Sequence, residues 1–288
     1  MSSNRIADLL SDGMKALKSA GIEAPAREAR LLLGTAARLT PTMMIGFPER
    51  SVDAEAAEAY RTLLARRVAR EPMSHLLGVR EFWSRPFFVT RDVLDPRPDS
   101  EALIEAVLDE LYDRQRPYRI IDFGTGSGCL LLTLLAELPA AKGWAVDLSP
   151  AALAVAQKNA AGLGLGARVQ WREGNWEAAL LPEDPAAFDI IVSNPPYIPA
   201  ADVATLEPEV RLHEPHLALV GGTDGLDAYR ALAPIVARRL AGDGLAALEI
   251  GIGQGESVRE LMLAAGLKDA GSASDLGNRE RCLLFRKG

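Results

Sequence analysis

From Arg119 onward the chain alternates short apolar runs with helix-forming stretches: "RIIDFG", a helix over 127–138, "WAVDL", a helix opened by Ser149 and Pro150, then "RVQWREG" and "FDIIVSNPPY". Parallel neighbours need long crossover connections, and a helix supplies one, so this order predicts a parallel sheet with helices on its faces. An irregular stretch over 200–225 follows. It leads to a helix over 226–240, the strand "GLAALEIG", a helix over 256–265 and the closing run "RCLLFRK". Pro234 lacks the N–H a helix interior needs and predicts a kink or a shorter helix. The expected class is α/β.

Upstream the period changes. Ile6, Leu9, Leu10, Met14 and Leu17 share one helical face, and Ala56, Tyr60, Leu63, Leu64 and Val68 repeat that spacing. Pro25 suits a first helical turn, and Pro72 is expected to end the last helix. Between this helical part and the sheet lies "GVREFWSRPFFVTRDVLDPRPDSE", rich in aromatic and β-branched residues, which reads as a hairpin or extended connector. Asp99 is expected to cap a helix running to about Tyr112. The chain thus divides into a helical domain over 1–75, a connector over 76–98 and an α/β domain over 99–288.

Charge narrows the partners. Residues 1–80 hold 12 Lys and Arg against 9 Asp and Glu, while residues 81–288 hold 20 against 30. Holding a long nucleic-acid backbone takes clustered Lys and Arg, so the acidic larger part argues against direct nucleic-acid binding. Two cysteines, Cys129 and Cys282, make no disulfide framework and fit a reducing compartment. The amino terminus carries Asp8 and Asp12 with no uninterrupted apolar block, and no run reaches transmembrane length. A monomeric cytoplasmic protein without a membrane segment is expected.

"IIDFGTGSGCLL" sets Gly124, Gly126 and Gly128 directly after a strand and before a helix. Glycines there let a ligand approach the backbone, and the N–H groups of a helix start favour an anion. A dinucleotide fingerprint requires a sixth-position glycine, where this chain has Cys129. That disfavours a pyrophosphate cradle and with it a nicotinamide oxidoreductase, but leaves room for a carboxylate. Asp147 ends the next strand, where an acid accepts hydrogen bonds from ribose hydroxyls; a solvated strand-end carboxylate is the plainer alternative. A ribose, an adenine and a carboxylate without a pyrophosphate describe S-adenosylmethionine better than NAD.

Asn194, Pro195, Pro196 and Tyr197 stop an apolar strand at the end where open α/β sheets bind ligands. The Asn194 side-chain carbonyl and the Pro195 backbone carbonyl are two acceptors at restricted separation, matched to a planar –NH₂ on which Tyr197 can stack. A planar nitrogen is a poor nucleophile, and alkylating it builds positive charge. Two acceptors aimed at its hydrogens stabilise that charge and orient the nitrogen. The residues expected to act are therefore Asn194, Pro195 and Tyr197, with no general base.

Together these segments resemble the peptide-chain release factor glutamine N5-methyltransferases, a family within the Rossmann-like class I methyltransferases. The likeness rests on "GVREFW", "VLDPRPDSE", "DFGTGSG", "NPPYIP" and "EPHLALVGGTDGL". It implies a seven-stranded catalytic domain, a helical substrate-docking domain and a hairpin connector. The implied reaction moves a methyl group from S-adenosylmethionine to the glutamine amide nitrogen in a Gly-Gly-Gln loop of a release factor. Gly124, Thr125, Gly126, Ser127 and Gly128 would hold the methionine moiety, Asp147 the ribose, and Trp176 would pack near the adenine. Asn194 would meet both cofactor and substrate, and Asn194, Pro195, Pro196 and Tyr197 would clamp the amide. N-P-P-Y alone does not separate a release factor from a ribosomal-protein glutamine or adenine N6. A cofactor-binding module without catalysis is the rival of another class. Asp95 departs from the family's apolar residue before the first connector proline.

Other residues carry plainer readings. His213 and His216 have a ligand-like spacing, but Pro215 breaks any helix aligning them, and no metal site is expected. Cys129 reads as a packed thiol, and Arg66, Arg67 and Arg70 as a solvated helix face. Glu249 is either a strand-end acid of structural use or one that faces the site. The stretch 200–225 is expected to lid the pocket.

Overall fold

A computed structural model describes residues 4–288, which form two compact units. The first holds residues up to Val79 together with Glu207–His213; the second holds Arg80–Leu206 and Glu214–Gly288.

The first unit contains α1 (Ile6–Ser19), α2 (Pro25–Ala37), α3 (Pro41–Gly46), α4 (Ala54–Val68) and α5 (Met73–Leu77). Pro25 occupies the first turn of α2, while Pro72 precedes α5, so it opens a further helix rather than closing the last one. Ile6, Leu9, Leu32, Leu33, Ala57 and Tyr60 form the core, and the Tyr60 hydroxyl donates to the Leu9 carbonyl at 3.1 Å. The solvated face expected at Arg66–Arg70 is only partly there. Arg67 is buried, reaching Glu28 at 2.6 Å and Glu209 at 2.9 Å, and Arg70 meets Glu209 at 2.8 Å. Burial of a guanidinium is tolerable because both carboxylates and the Glu71 carbonyl take up its donors. The acceptor on Glu209 lies 142 residues away, beyond the reach of a helical-wheel argument.

The second unit carries the sheet. A two-stranded hairpin, β1 (Val79–Phe82) and β2 (Arg85–Phe88), precedes α6 (Glu101–Asp109). Then come β3 (Arg119–Phe123), α7 (Cys129–Glu137), β4 (Lys142–Asp147), α8 (Pro150–Gly162), β5 (Val169–Glu173) and β6 (Phe188–Ser193). After the short α9 (Pro208–His213), which belongs to the first unit, follow α10 (His216–Leu219), α11 (Asp227–Arg239), β7 (Leu240–Glu249), α12 (Gly255–Ala264), β8 (Leu267–Ser274) and β9 (Glu280–Lys287). The seven strands lie in the order β5-β4-β3-β6-β7-β9-β8, with β9 antiparallel between β7 and β8. This mixed sheet is the class I methyltransferase arrangement.

Strand alternation explains the two cores. Ile190, Val192, Leu245 and Ala247 face α6 and α7, whereas Ile191, Ala246 and Leu248 face α11 and α12. Both faces are covered, which is why these strands read as continuous apolar runs. Packing of Leu232, Ile235 and Val236 carries α11 through Pro234 without the expected shortening. Ser149 caps α8, its hydroxyl accepting from Ala152 N at 3.2 Å. Asp99 does not cap α6; it sits in a 3₁₀ turn, Pro98–Ser100, and pairs with Arg281 at 3.1 Å, and α6 ends at Asp109.

The hairpin is fastened at both ends. Trp83 N donates to Glu101 at 2.7 Å and Arg85 to Glu137 at 2.7 Å. Asn159 of α8 accepts from Phe88 N and donates to the carbonyls of Phe88 and Ser127, joining the connector to the glycine loop.

Candidate active site

The carboxyl ends of β3, β4 and β6 open into a cavity of about 270 Å³, near the small end of ligand cavities, roughly 300–1,000 Å³. Its wall brings together Gly124, Thr125, Gly126, Ser127, Asp147, Trp176, Asn194 and Pro196 from the sequence-derived set. Gly128, Pro195 and Tyr197 lie outside that wall. Gly128 is the N-cap of α7 at φ +80°, where an added Cβ would come 3.0 Å from Leu132 Cδ1. Tyr197 packs against the core shared by the sheet with α11 and α12, with burial holding its phenol well above the usual range and neighbouring Glu249 adding to this.

The glycine loop is held from below. Gly124 N and Thr125 N both donate to the Val146 carbonyl, and the Thr125 hydroxyl donates to Asp122 at 2.7 Å. Asp147 accepts from Gly126 N at 2.8 Å and from Ser149 N at 2.9 Å, one bond to each carboxylate oxygen. Each oxygen keeps a further lone pair, so the carboxylate can take two hydroxyl donors from a ribose. Trp176 stands edge-on to Phe123, ring centres 6.3 Å apart, and continues the wall beside Gly124, where an added Cβ would come 3.9 Å from its ring. These are the features a nucleoside bearing a compact charged tail needs, and they fit S-adenosylmethionine.

The N-P-P-Y turn is clamped from behind by residues far along the chain. Ser193 Oγ donates to the Phe123 carbonyl at 2.6 Å, tying the end of β6 to β3. Ile198 bridges Val220 in parallel, with Ile198 N donating to the Leu219 carbonyl and Gly221 N to the Ile198 carbonyl. Gln254 Nε2 donates to the carbonyls of Tyr197 and Gly225. A Cβ on Gly221 would lie 2.6 Å from the Pro196 oxygen, and one on Gly225 would lie 2.3 Å from the Tyr197 oxygen. Because Gly225 also has φ +79°, Gly225→Ala combines backbone strain with a backbone clash. It is expected to lower turnover at least tenfold while far-ultraviolet circular dichroism stays native; unchanged turnover would show that the turn is not held by this contact.

The PrmC N-terminal domain model matches residues 8–78, and a methyltransferase domain model matches residues 120–213. A release factor glutamine methyltransferase of Cereibacter sphaeroides is 48% identical over 282 residues, covering 98% of each chain. The chain belongs to the release factor glutamine methyltransferase family. A relative of the same name from Rhodospirillum rubrum is 47% identical over 97% of this chain and 84% of its own. Among solved structures, a methyltransferase of Pyrococcus furiosus superposes with a TM-score of 0.52 at 16% identity, covering 72% of this chain and 91% of that one, a likeness of fold.

In this member of the family, four buried acids lie in or beside the cavity wall: Asp95 lines it, and Asp122, Glu214 and Glu249 stand next to residues that do. Asp122, fully buried, is pushed up to about 7 by burial, with Thr125 opposing and Asp147 reinforcing. Its signal was present: a lone acid inside an apolar strand, two residues before Gly124. Glu214 is buried and lies 2.7 Å from Arg97 through both oxygens; burial pushes it up to about 7 against Arg97. Asp95 belongs to the same cluster, 3.7 Å from Arg80 and 3.9 Å from Arg97, which accounts for an acid in an otherwise apolar position. Glu249 is likewise pushed up to about 7 by burial, with Ser100 opposing. Burial also pushes the Cys129 thiol up to about 12, so it borders the cavity as a thiol, not a thiolate. His213 ends α9, its Nε2 3.4 Å from the Ala69 carbonyl, and no metal-holding group of His, Cys, Asp or Glu occurs among the described residues.

These shifts set a pH dependence. Between the ordinary carboxyl range and about 7, the native state keeps protons on Asp122, Glu214 and Glu249 that the unfolded chain has already released. Stability therefore falls as pH rises across that window. Asp184 and Asp189, held low by Arg172 and Arg119 despite burial, add stability that is lost only as pH falls below the ordinary range. Calorimetry is expected to give a higher Tm at about pH 5.5 than at about pH 8. An equal or higher Tm at the upper pH would mean the three acids ionise as exposed ones do.

Proposed function

We infer that the chain transfers a methyl group from S-adenosylmethionine to the side-chain amide nitrogen of a glutamine in a peptide-chain release factor, within its Gly-Gly-Gln loop. The observation that carries this reading is one cavity whose wall joins the glycine loop, Asp147 and Trp176 to Asn194. Near full-length identity to named release factor glutamine methyltransferases supports the substrate.

The glycine loop, from Gly124 to Gly128, would receive the methionine end, Asp147 the ribose hydroxyls and Trp176 the adenine. When bound, this cofactor supplies an electrophilic methyl group on a sulfonium. The protein's own part is to hold the amide. Asn194 Oδ1 and the Pro195 carbonyl accept the two amide hydrogens, stabilising the charge that grows on nitrogen and fixing its direction. Pro195 and Pro196 keep these acceptors from relaxing. Tyr197 supports the turn from the core side, where Gly251 allows its ring to lie close. No base is required before transfer, since the alkylated amide is acidic enough to lose its proton afterwards.

Pro215, Leu217 and Ala218 contribute to the cavity wall, and the Glu214–Arg97 pair pins their segment to the connector. That segment is the lid. The helical unit docks the release factor, and the enzyme works as a cytoplasmic monomer on protein rather than nucleic acid. Its acidic larger part supports the last point, and no helix among the described residues is long and apolar enough to cross a membrane. Incubation with labelled cofactor and, in parallel, release factors, ribosomes or DNA tests the assignment. Label is expected in release factors; label entering DNA alone would overturn it.

A further inference from the structure

The parallel register that sets Ser193 beside Leu248 brings Asn194 and Glu249 level at the ends of β6 and β7. The Glu249 side chain is buried at 1% exposure, and its Oε2 has no hydrogen-bond partner. Its backbone carbonyl is fixed by the Tyr229 hydroxyl at 2.8 Å. Ser100 and Asn194 stand against the carboxyl and favour its charged form, and Asn194 Nδ2 donates to Ser100 Oγ at 3.4 Å. Ser100 also borders the cavity.

A carboxylate accepts hydrogen bonds and donates none, whereas an amide group has a donor end and an acceptor end. An asparagine between this carboxylate and the cavity is satisfied one way round: –NH₂ toward Ser100 and Glu249, carbonyl oxygen toward the substrate. Flipped, it would set a carbonyl against a carboxylate and aim a donor at the donor amide it must hold. We propose that Glu249 is a positioning residue for the transfer, acting with Ser100 to hold the Asn194 amide with its oxygen toward the glutamine –NH₂. This rests on the glutamine reading above.

The groups facing Glu249 are Asp99 of the 3₁₀ turn, Arg281 and Cys282 of β9, Tyr197, Tyr229 of α11 and Cys129 of α7. Arg281 directs donors to Asp99 and Asp275 instead. Burial raises both thiols and both phenols, so they stay protonated near neutral pH. The wild-type kcat is therefore expected to rise with pH through about 7 as Glu249 ionises.

Glu249→Gln keeps the shape, cannot ionise, and can satisfy Asn194 in either orientation. In an assay where the wild type methylates a release factor, this variant should lose about tenfold or more in kcat at about pH 8. Its log kcat against pH should be flatter than wild type, its KM for the release factor within about twofold, and its calorimetric Kd for the cofactor unchanged. Wild-type kcat with the wild-type pH profile would overturn the proposal. So would a loss confined to KM or to cofactor Kd. Should Glu249→Gln fail to fold, Ser100→Ala decides: lowered kcat at unchanged cofactor Kd supports the relay, and wild-type kcat refutes it. A wild type that methylates no release factor would instead remove the functional reading, and the proposal with it.

Discussion

Asn194→Ala is expected to lower kcat roughly a hundred- to a thousandfold, about 2.7–4 kcal/mol, the cost of removing one preorganised donor or acceptor from a site of developing charge. Charge on the amide nitrogen grows only as the new bond forms, so the loss should fall chiefly on kcat, with a smaller weakening of cofactor affinity because Asn194 also borders the cavity. The structure gives this expectation a clean background. Ser193, Ile198 and Gln254 hold the turn through other bonds, so truncating Asn194 removes the acceptor and the bond to Ser100 without releasing the strand end. Single-turnover methylation at saturating cofactor measures it. A rate within threefold of wild type would mean that Asn194 does not face the reacting nitrogen.

Asp147→Ala should act on the other half of the cavity. Each hydrogen bond from a ribose hydroxyl to a charged carboxylate contributes about 1.5–3 kcal/mol, so losing two predicts a Kd for S-adenosylmethionine roughly a hundredfold or more weaker. Asp147 also receives Gly126 N and Ser149 N, so part of the loss reflects a loosened loop. Asp147→Asn separates the two contributions. It keeps a side-chain oxygen for one backbone bond and loses the charge, and should fall between wild type and alanine in calorimetric titration. Equal affinity for all three proteins would place the ribose elsewhere.

Much of the sheet was legible because its strands are buried on both faces. Ile120, Ile121, Ile190, Ile191 and Val192 leave no alternative to a covered strand, and the glycines after Phe123 mark where it turns. The edge strand β8 was not legible. "LKDAGSAS" is mostly exposed, bulges at Gly271, and owes its conformation to pairing with β9. The glycine loop, Asp147 and Asn194 were readable because strand ends carry chemistry in such folds. Tyr197 was expected to offer its ring to the amide, yet it lies outside the cavity wall. The segments that decide its place, around Gly221, Gly225 and Gln254, come together only in three dimensions. Long-range burial also hid Arg67. It lies seven residues after buried Tyr60, on the packed face of α4 and one step round the helix from exposed Arg66, where an arginine is unexpected until Glu28 and Glu209 supply its carboxylates.

The role proposed for the N-P-P-Y turn is to present a glutamine amide to the methyl donor. Intact-mass analysis of a release factor after reaction, followed by fragmentation, measures this directly. One added methyl group is expected, located on the side chain of the glutamine in the Gly-Gly-Gln loop and formed roughly a hundred- to a thousandfold more slowly with Asn194→Ala. A methyl group on a lysine or arginine, or on no release-factor residue at all, would contradict it.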